Sequence, residues 1–135
     1  MQTYLTDFGF AIKRKTLVEE AKYPSIGTPT YMPIEMQARL WKCQDGRLRI
    51  QYDERADIWC LGVLLYTMLY RVSAFNPDDL SDRERIKSNI INLNYRFPKT
   101  ATPLAIDLIK KILVEPDKRL TLSDILNHPW FASSQ

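Results

Sequence analysis

The chain has 135 residues, of which 45% are hydrophobic and 26% are charged; this balance fits a soluble globular domain with one core and excludes a disordered or fibrous protein. The net charge is only +3, and the basic residues are spread along the chain, so no block of positive charge predicts nucleic-acid binding. The two cysteines, Cys43 and Cys60, lack the spacing of a zinc or redox motif, and no apolar run could span a bilayer. We therefore expect a cytoplasmic or otherwise intracellular protein. Neither nucleic acid nor a membrane is an expected partner.

The first part of the chain predicts a short strand, a turn and a long loop. Residues 3–6 alternate in the manner of a strand and lead into Asp7-Phe8-Gly9, where the glycine permits a sharp reversal of the backbone. From residue 10 to residue 31 no helical or strand period is sustained. Loops of this length within a compact domain are uncommon and usually functional, so we expect this loop to carry function.

The remainder of the chain predicts helices arranged around one central, buried helix. That helix covers about 54–70, follows Asp53 as a potential cap and is apolar on nearly every face. Amphipathic spacing, with cap signals at Ser81, Thr102 and Thr121, predicts further helices at about 34–41, 82–92, 103–114 and 122–127. The polar stretch at about 42–52, which carries Asp45-Gly46 as a turn signal, is predicted to be a surface insertion. The expected fold class is therefore mainly α, in one domain over residues 1–135.

A series of short motifs resembles the protein kinase family in both order and spacing. Asp7-Phe8-Gly9 opens the long loop and the segment 27–35 closes it, as the family's Asp-Phe-Gly and Ala-Pro-Glu bound its activation segment. Further matches follow in register at 57–62, 94–98, 115–121 and 128–131. The Gly-Thr-Pro-Thr-Tyr wording at 27–31 resembles the serine/threonine branch of the family.

The resemblance implies the C-terminal lobe of a kinase domain, with an activation segment at 7–35 and a helical remainder at 53–135. Asp7 is similar to the family's magnesium ligand, and Phe8 and Gly9 are similar to the neighbours that set its orientation. The match implies ATP and Mg²⁺ as cofactors of the complete domain and a protein with Ser or Thr as the substrate. Considered without the resemblance, Asp7 to Gly9 form an ordinary turn.

Other matched positions support the site rather than hold the nucleotide. Thr28 is similar to a threonine that helps orient the catalytic loop and favours a Ser or Thr substrate; its plainer interpretation is a polar loop residue. Glu35 and Arg119 match a buried pair that ties the activation segment to the last helices, and Asp57 matches the residue that holds the catalytic loop.

Two further sets of residues have less specific matches. Leu64 and Met68 match apolar positions that support the adenine-side stack, although plain core packing is an equally good interpretation. Members of the family are often phosphorylated in the loop, at positions that correspond to Thr16, Tyr23 and Ser25.

The sequence also departs from the family pattern. It contains no Gly-rich phosphate loop, no Val-Ala-Ile-Lys lysine, no paired glutamate and no His-Arg-Asp catalytic loop, all of which would precede Asp7. Pro33-Ile34-Glu35 replaces Ala-Pro-Glu, and the segment between Glu35 and Asp57 is longer than the family usually has. We therefore expect the complete protein to carry the missing N-terminal half of the kinase domain, and this chain to be inactive by itself.

Two alternatives and one physical consequence follow from these departures. The chain could be a catalytically inactive, kinase-like interaction module; an unrelated helical adaptor would require the ordered motifs to be coincidental. In either case the face of the 54–70 helix that would support the catalytic loop is expected to be uncovered, and an exposed apolar face promotes association.

Overall fold

The computed structural model describes residues 2–11, 27–38, 41–42, 48–49, 53–75, 78 and 81–132. Within these ranges the chain is mainly α-helical, which confirms the predicted fold class. The helices are α1 (Ile34–Ala38), α2 (Arg55–Tyr70), α3 (Arg83–Ile91), α4 (Pro103–Ile112), α5 (Leu122–Leu126) and α6 (Pro129–Ala132). Short 3-10 turns cover Phe8–Phe10, Pro29–Tyr31 and Pro116–Lys118. None of the helices in the described part of the chain is both long enough and apolar enough to cross a membrane.

The core lies between α2 and α4. Trp59 and Val63 on α2 are fully buried, as are Leu108 and Ile109 on α4. The two helices pack closely at Gly62, where an added Cβ atom would collide with Ile112 and lie 2.9 Å from Cδ2 of Leu113. The absence of a side chain at this position therefore sets how near α4 can approach α2.

The opposite face of α2 is uncovered. Leu61, Leu64 and Met68 recur at helical spacing and are 45%, 44% and 68% exposed. The prediction that this helix is buried on nearly every face is therefore wrong, because no element in the described ranges lies over this stripe. The exposed fractions agree instead with the expectation of an uncovered apolar face on this helix.

Side-chain caps begin three of the described helices, α3, α4 and α5. Thr102 accepts a hydrogen bond from the amide of Ala105 at the start of α4, and Thr121 and Asp124 cap α5 reciprocally, as predicted. At α3 the prediction of a cap at Ser81 is wrong: the Asp82 carboxylate accepts from the Arg85 amide at 2.9 Å. Asp82 stands three residues before that amide, which is the spacing that an N-cap carboxylate requires.

The strand predicted over 3–6 does not form. Residues 2–7 have no regular secondary structure, and Tyr4 and Leu5 are 70% and 89% exposed. A strand needs a partner to satisfy its backbone hydrogen bonds, and the described residues provide none beside this segment. The alternating pattern therefore shows only that the side chains suit a strand, and not that a partner for the backbone hydrogen bonds is present.

The region after α1 also differs from the prediction. The helix expected over 34–41 ends at Ala38, and the strand β1 (Trp41–Lys42) pairs antiparallel with β2 (Leu48–Arg49). The expected insertion at 42–52 thus contains paired strands, while Asp45-Gly46 lies outside the described residues. Tryptophan is common in strands as well as in helices, so Trp41 does not indicate where a helix ends.

Candidate functional site

The Asp7-Phe8-Gly9 segment forms a tight turn at the surface. The amide of Ala11 donates to the Phe8 carbonyl at 3.0 Å, which closes one turn of 3-10 helix. Asp7 adopts a φ of 60°, and its Oδ1 atom accepts a hydrogen bond from the Gly9 amide at 3.3 Å. A non-glycine residue in this left-handed region is uncommon and is often found at functional sites. The turn leaves the other Asp7 oxygen without a protein partner among the described residues.

A single exposed carboxylate fits a magnesium ion that is shared with phosphates. Mg²⁺ is usually bound by one or two carboxylates together with substrate phosphates and water. Within the described ranges, no group of three or more His, Cys, Asp and Glu side chains could hold a metal ion without such help. Asp7 therefore fits the role of one ligand to a nucleotide-bound ion.

The aromatic residues of the turn are also at the surface. Phe8 and Phe10 are 69% and 65% exposed, so neither contributes to the core in this arrangement. No hydrogen bond or ion pair within the described ranges joins the turn to α2. Among the described residues, the hydrogen bond at the Asp7 carboxylate comes from the turn itself.

The long loop is described only at its two ends. Thr16, Tyr23 and Ser25 lie outside the described residues, so their phosphorylation stays a prediction. At the exit of the loop, Gly27 has a φ of 104°, which L side chains rarely adopt, and the exposed Thr28 precedes the 3-10 turn Pro29–Tyr31. The Thr28 hydroxyl makes no cap hydrogen bond to that turn.

Arg119 joins α1 to the segment before α5 through the Glu35 carboxylate. Its Nη1 and Nη2 atoms donate to the two oxygens of Glu35 at 2.9 and 3.0 Å, which is a bidentate contact. The remaining donors reach the carbonyls of Val114 and Arg55, so all the N–H groups of the guanidinium are satisfied. The Arg119 side chain is 0% exposed and that of Glu35 is 7% exposed, so both charges are buried together.

A second ionic network holds the start of α2. Arg55 pairs with Asp53 and with Asp117, with 2.7 Å between the charged atoms in each case. The side-chain hydrogen bond from Arg55 holds the pKa of the Asp53 carboxyl below its usual value. Because the Arg55 carbonyl also accepts from Arg119, the two networks meet at the first turn of α2.

Three of the predicted site residues lie on the uncovered face of α2. Asp57 is in the first turn and is exposed, and Leu64 and Met68 follow at spacings of seven and four residues on the same side of the helix. The Asp57 carboxylate makes no hydrogen bond or ion pair with any other described residue. The face therefore combines a free carboxylate at one end with an apolar stripe along its length.

One buried side chain near the loop exit was not predicted from the sequence. Gln37 on α1 is 8% exposed, and its Nε2 atom donates to the carbonyls of Pro29 and Met32 at 3.2 and 3.0 Å. A single glutamine in a short helix has no sequence signature. In the structure it lies four residues after the buried Pro33, on the same side of α1.

Comparison with known proteins agrees with this geometry. Residues 2–131 match the family described as "Protein kinase domain". The chain is 33% identical over 132 residues to an Aurora kinase of Dictyostelium discoideum, with 93% of this chain and 29% of that protein covered. It is 32% identical over 127 residues to Aurora kinase C of Mus musculus, with 93% and 40% covered. For the serine/threonine-protein kinase SAPK6 of Oryza sativa subsp. japonica, the identity is 31% over 131 residues, with 94% and 33% covered.

The chain spans between 29% and 40% of the length of these three relatives. The family match covers nearly all of the chain, from the Asp7 turn to α6. The chain therefore belongs to the protein kinase family.

Proposed function

We propose that the complete protein is a serine/threonine kinase that transfers the γ-phosphoryl group of ATP to a hydroxyl of a protein substrate, with Mg²⁺. The observation that carries this proposal is the contrast between the two ends of the activation segment, 7–35. At its start Asp7 presents an exposed carboxylate, and at its end Glu35 is buried in a bidentate pair with Arg119. A free ligand and a fixed anchor, joined by a long loop, suit a segment that must position both a nucleotide and a substrate.

The residues at the two ends of the activation segment have distinct roles in this proposal. When bound, Mg²⁺ would neutralise charge that develops on the phosphates, and the Asp7 carboxylate would hold it there. The turn at Phe8 and Gly9 would set the direction of that carboxylate. The exposed Thr28 and the exit turn after it would form the shelf on which the protein substrate lies.

In this proposal, the uncovered face of α2 supports the catalytic loop and the nucleotide site. Its free Asp57 carboxylate would accept hydrogen bonds from the backbone of a catalytic loop, and Leu64 and Met68 would pack beneath the adenine side of the site. These contacts would remove apolar surface from water, which favours docking of the missing N-terminal half on this face. Phosphorylation of Thr16, Tyr23 or Ser25 would then order the loop.

The chain by itself is proposed to be inactive. Its sequence contains no catalytic-loop aspartate to accept the proton of the substrate hydroxyl, and no lysine strand or glycine loop to hold the nucleotide. We propose one partial kinase domain over 1–135, with the activation segment at 7–35, an insertion at about 42–52 and a helical remainder at 53–135. The missing N-terminal half belongs to the complete protein, which we place inside the cell.

The change of Asp7→Asn in the complete protein tests the proposal. It keeps the size of the side chain and removes the negative charge, so kcat should fall on the order of 10²- to 10³-fold, in a phosphoryl-transfer assay with Mg²⁺. The matched control is Asp78→Asn, which changes an exposed carboxylate that lies 4.0 Å from Arg85. An equal loss of activity in both variants would contradict the role of Asp7.

The alternative is a kinase-like interaction module without catalysis, which the apolar face of α2 favours. Leu61, Leu64 and Met68 form a continuous stripe that a partner protein could cover. The same assay separates the two functions. A complete protein with Asp7 intact that neither binds ATP with Mg²⁺ nor transfers phosphate would overturn the kinase proposal and support the module.

A further inference from the structure

The exit turn of the activation segment, residues 29–32, is held by two side chains from different helices. Gln37 on α1 donates to the Pro29 carbonyl at 3.2 Å and to the Met32 carbonyl at 3.0 Å. The Cys60 thiol on α2 donates to the Tyr31 carbonyl at 3.3 Å. Three of the four carbonyls in the turn are therefore bound by side chains, in addition to the turn's own backbone hydrogen bonds.

Both N–H groups of the Gln37 side-chain amide donate hydrogen bonds. It is 8% exposed, and an amide nitrogen has two N–H groups, each of which has a loop carbonyl as its acceptor. A buried polar group of this kind is tolerated only when it is hydrogen-bonded. Loss of the amide would leave the two carbonyls without this donor, so the turn and Gln37 depend on each other.

Cys60 contributes a donor that stays protonated. Burial, together with the nearby negative charges of Asp57 and Glu35, raises the pKa of its thiol to about 11. The sulfur therefore carries its hydrogen at neutral pH and donates to Tyr31 instead of acting as a nucleophile. Because the pair of Glu35 and Arg119 joins α1 to the segment before α5, the turn is attached to a helix that is itself anchored.

We propose that Gln37, supported by Cys60, is a positioning residue that fixes the exit turn and thereby sets the affinity for the protein substrate. This inference rests on the proposed function, in which the exit turn is part of the substrate shelf. Neither residue lies at Asp7, so loss of the anchoring hydrogen bonds should loosen the shelf and leave the nucleotide site intact. The substrate KM should rise, while kcat and the KM for ATP should not change.

The test uses Gln37→Met in the complete protein. Methionine keeps a similar volume and removes both donors, so the KM for the protein substrate should rise roughly tenfold, by the loss of two hydrogen bonds. The control is Met36→Leu in the neighbouring residue of α1, which should leave every kinetic constant unchanged.

The supporting role of Cys60 has its own pair of variants. Cys60→Ala removes the donor and should raise the same substrate KM severalfold, because one neutral hydrogen bond is lost. Cys60→Ser keeps a donor at the same position and should behave like the unaltered protein. A serine variant that is as impaired as the alanine variant would show that sulfur packing, and not hydrogen bonding, holds the turn.

Hydrogen exchange of the complete protein provides a readout that does not depend on catalysis. The amides of Tyr31 and Met32 donate to Thr28 and Pro29 within the turn, at 2.9 and 3.2 Å. Gln37→Met should speed their exchange and leave the amide of Leu113, which donates to Ile109 in the core, unchanged.

The outcomes separate the two proposals. A complete protein that transfers no phosphate with Gln37 intact would remove the proposed function, while the exchange rates would still decide whether Gln37 holds the turn. Normal turnover with an unchanged substrate KM in Gln37→Met would overturn the inference. So would faster exchange throughout the core, because that result would show general destabilisation.

Discussion

The guanidinium carbon of Arg119 lies 5.1 Å from the centre of the Trp59 ring. Arg119 therefore uses its edge for the Glu35 carboxylate and its face for an aromatic ring that is fully buried. Trp59 in turn stacks on Phe75, with 5.5 Å between the ring centres. A planar cation suits both contacts, whereas an ammonium group could not satisfy the carboxylate and the ring in the same way.

Replacement of Arg119 should strongly destabilise the fold. Arg119→Met leaves the Glu35 charge buried without its partner, so the free energy of unfolding should fall by about 3–5 kcal/mol. Urea unfolding of the chain at low protein concentration measures this change. Arg119→Lys should also destabilise the chain, because lysine cannot make the bidentate contact.

The control for this measurement is the neighbouring residue. Lys118 pairs with Glu115 at 3.6 Å, and the two side chains are 71% and 47% exposed. Lys118→Ala should therefore change the free energy of unfolding by less than about 1 kcal/mol. If Arg119→Met and Lys118→Ala lowered the free energy of unfolding by similar amounts, burial of the pair of Arg119 and Glu35 would not make it more stabilising than an exposed pair.

Gly62→Ala should destabilise the packing of α2 on α4. Alanine favours helix by about 1 kcal/mol, but its Cβ atom would overlap Ile112 and approach Cδ2 of Leu113 to 2.9 Å. Overpacking of a dense core costs roughly 1–3 kcal/mol, so steric repulsion should outweigh helix propensity. The expected result is a lower midpoint in thermal or urea unfolding.

A second substitution shows whether the contact is the cause. Ile112→Ala alone creates a cavity, but in the Gly62→Ala background it also makes room for the new methyl group. The loss in the double variant should therefore be smaller than the sum of the two single losses. Simple additivity would mean that Gly62 acts through something other than its contact with Ile112.

The third prediction concerns Asp107, which connects α4 to His128 before α6. Its Oδ2 atom accepts from Lys111 at 2.8 Å and lies 2.9 Å from His128 Nε2. Since the amide of Trp130 donates to His128 Nδ1, the ring proton is on Nε2 and points to Asp107. The hydrogen bonds from Lys111 and His128 hold the pKa of the Asp107 carboxyl below its usual value of 3.8.

The sign of the pH effect follows from that direction. A carboxyl whose pKa is lowered by folding contributes stability above its unfolded pKa of 3.8 and loses it as the pH falls through the lower, folded value. Asp107→Asn should therefore lower Tm at neutral pH and flatten the decline of Tm below pH 3.8. Thermal melts of both proteins over this range measure it, and a difference in Tm that is constant with pH would contradict the assignment.

The sequence predicted the helices well where two signals agreed. For α4 and α5, an amphipathic period and a threonine cap coincide, and the helix starts are correct. At α3, Ser81 and Asp82 can both serve as caps, so the sequence alone could not select the second. The strand expected over 3–6 failed for a different reason, because its pattern is local whereas pairing depends on a partner elsewhere.

The candidate site was predictable to the extent that its residues belong to ordered motifs. Asp7, Glu35 and Arg119 were identified by resemblance, and the structure adds the contacts that each one makes. Gln37 belongs to no motif, and its burial results from tertiary packing of α1 against the loop exit. Likewise, the periodicity of α2 could not distinguish a face that packs on α4 from one that no described element covers.

The 84 positions that separate Glu35 from Arg119 also bear on how the protein is made. During synthesis from the N-terminus, the carboxylate emerges long before the guanidinium that neutralises it, so α1 cannot dock stably until the segment that carries Arg119 has left the ribosome. A nascent chain that stops ahead of Arg119 would retain an unmatched charge at the position of Glu35. Assembly of this lobe should consequently be a late, all-or-none event instead of a stepwise one.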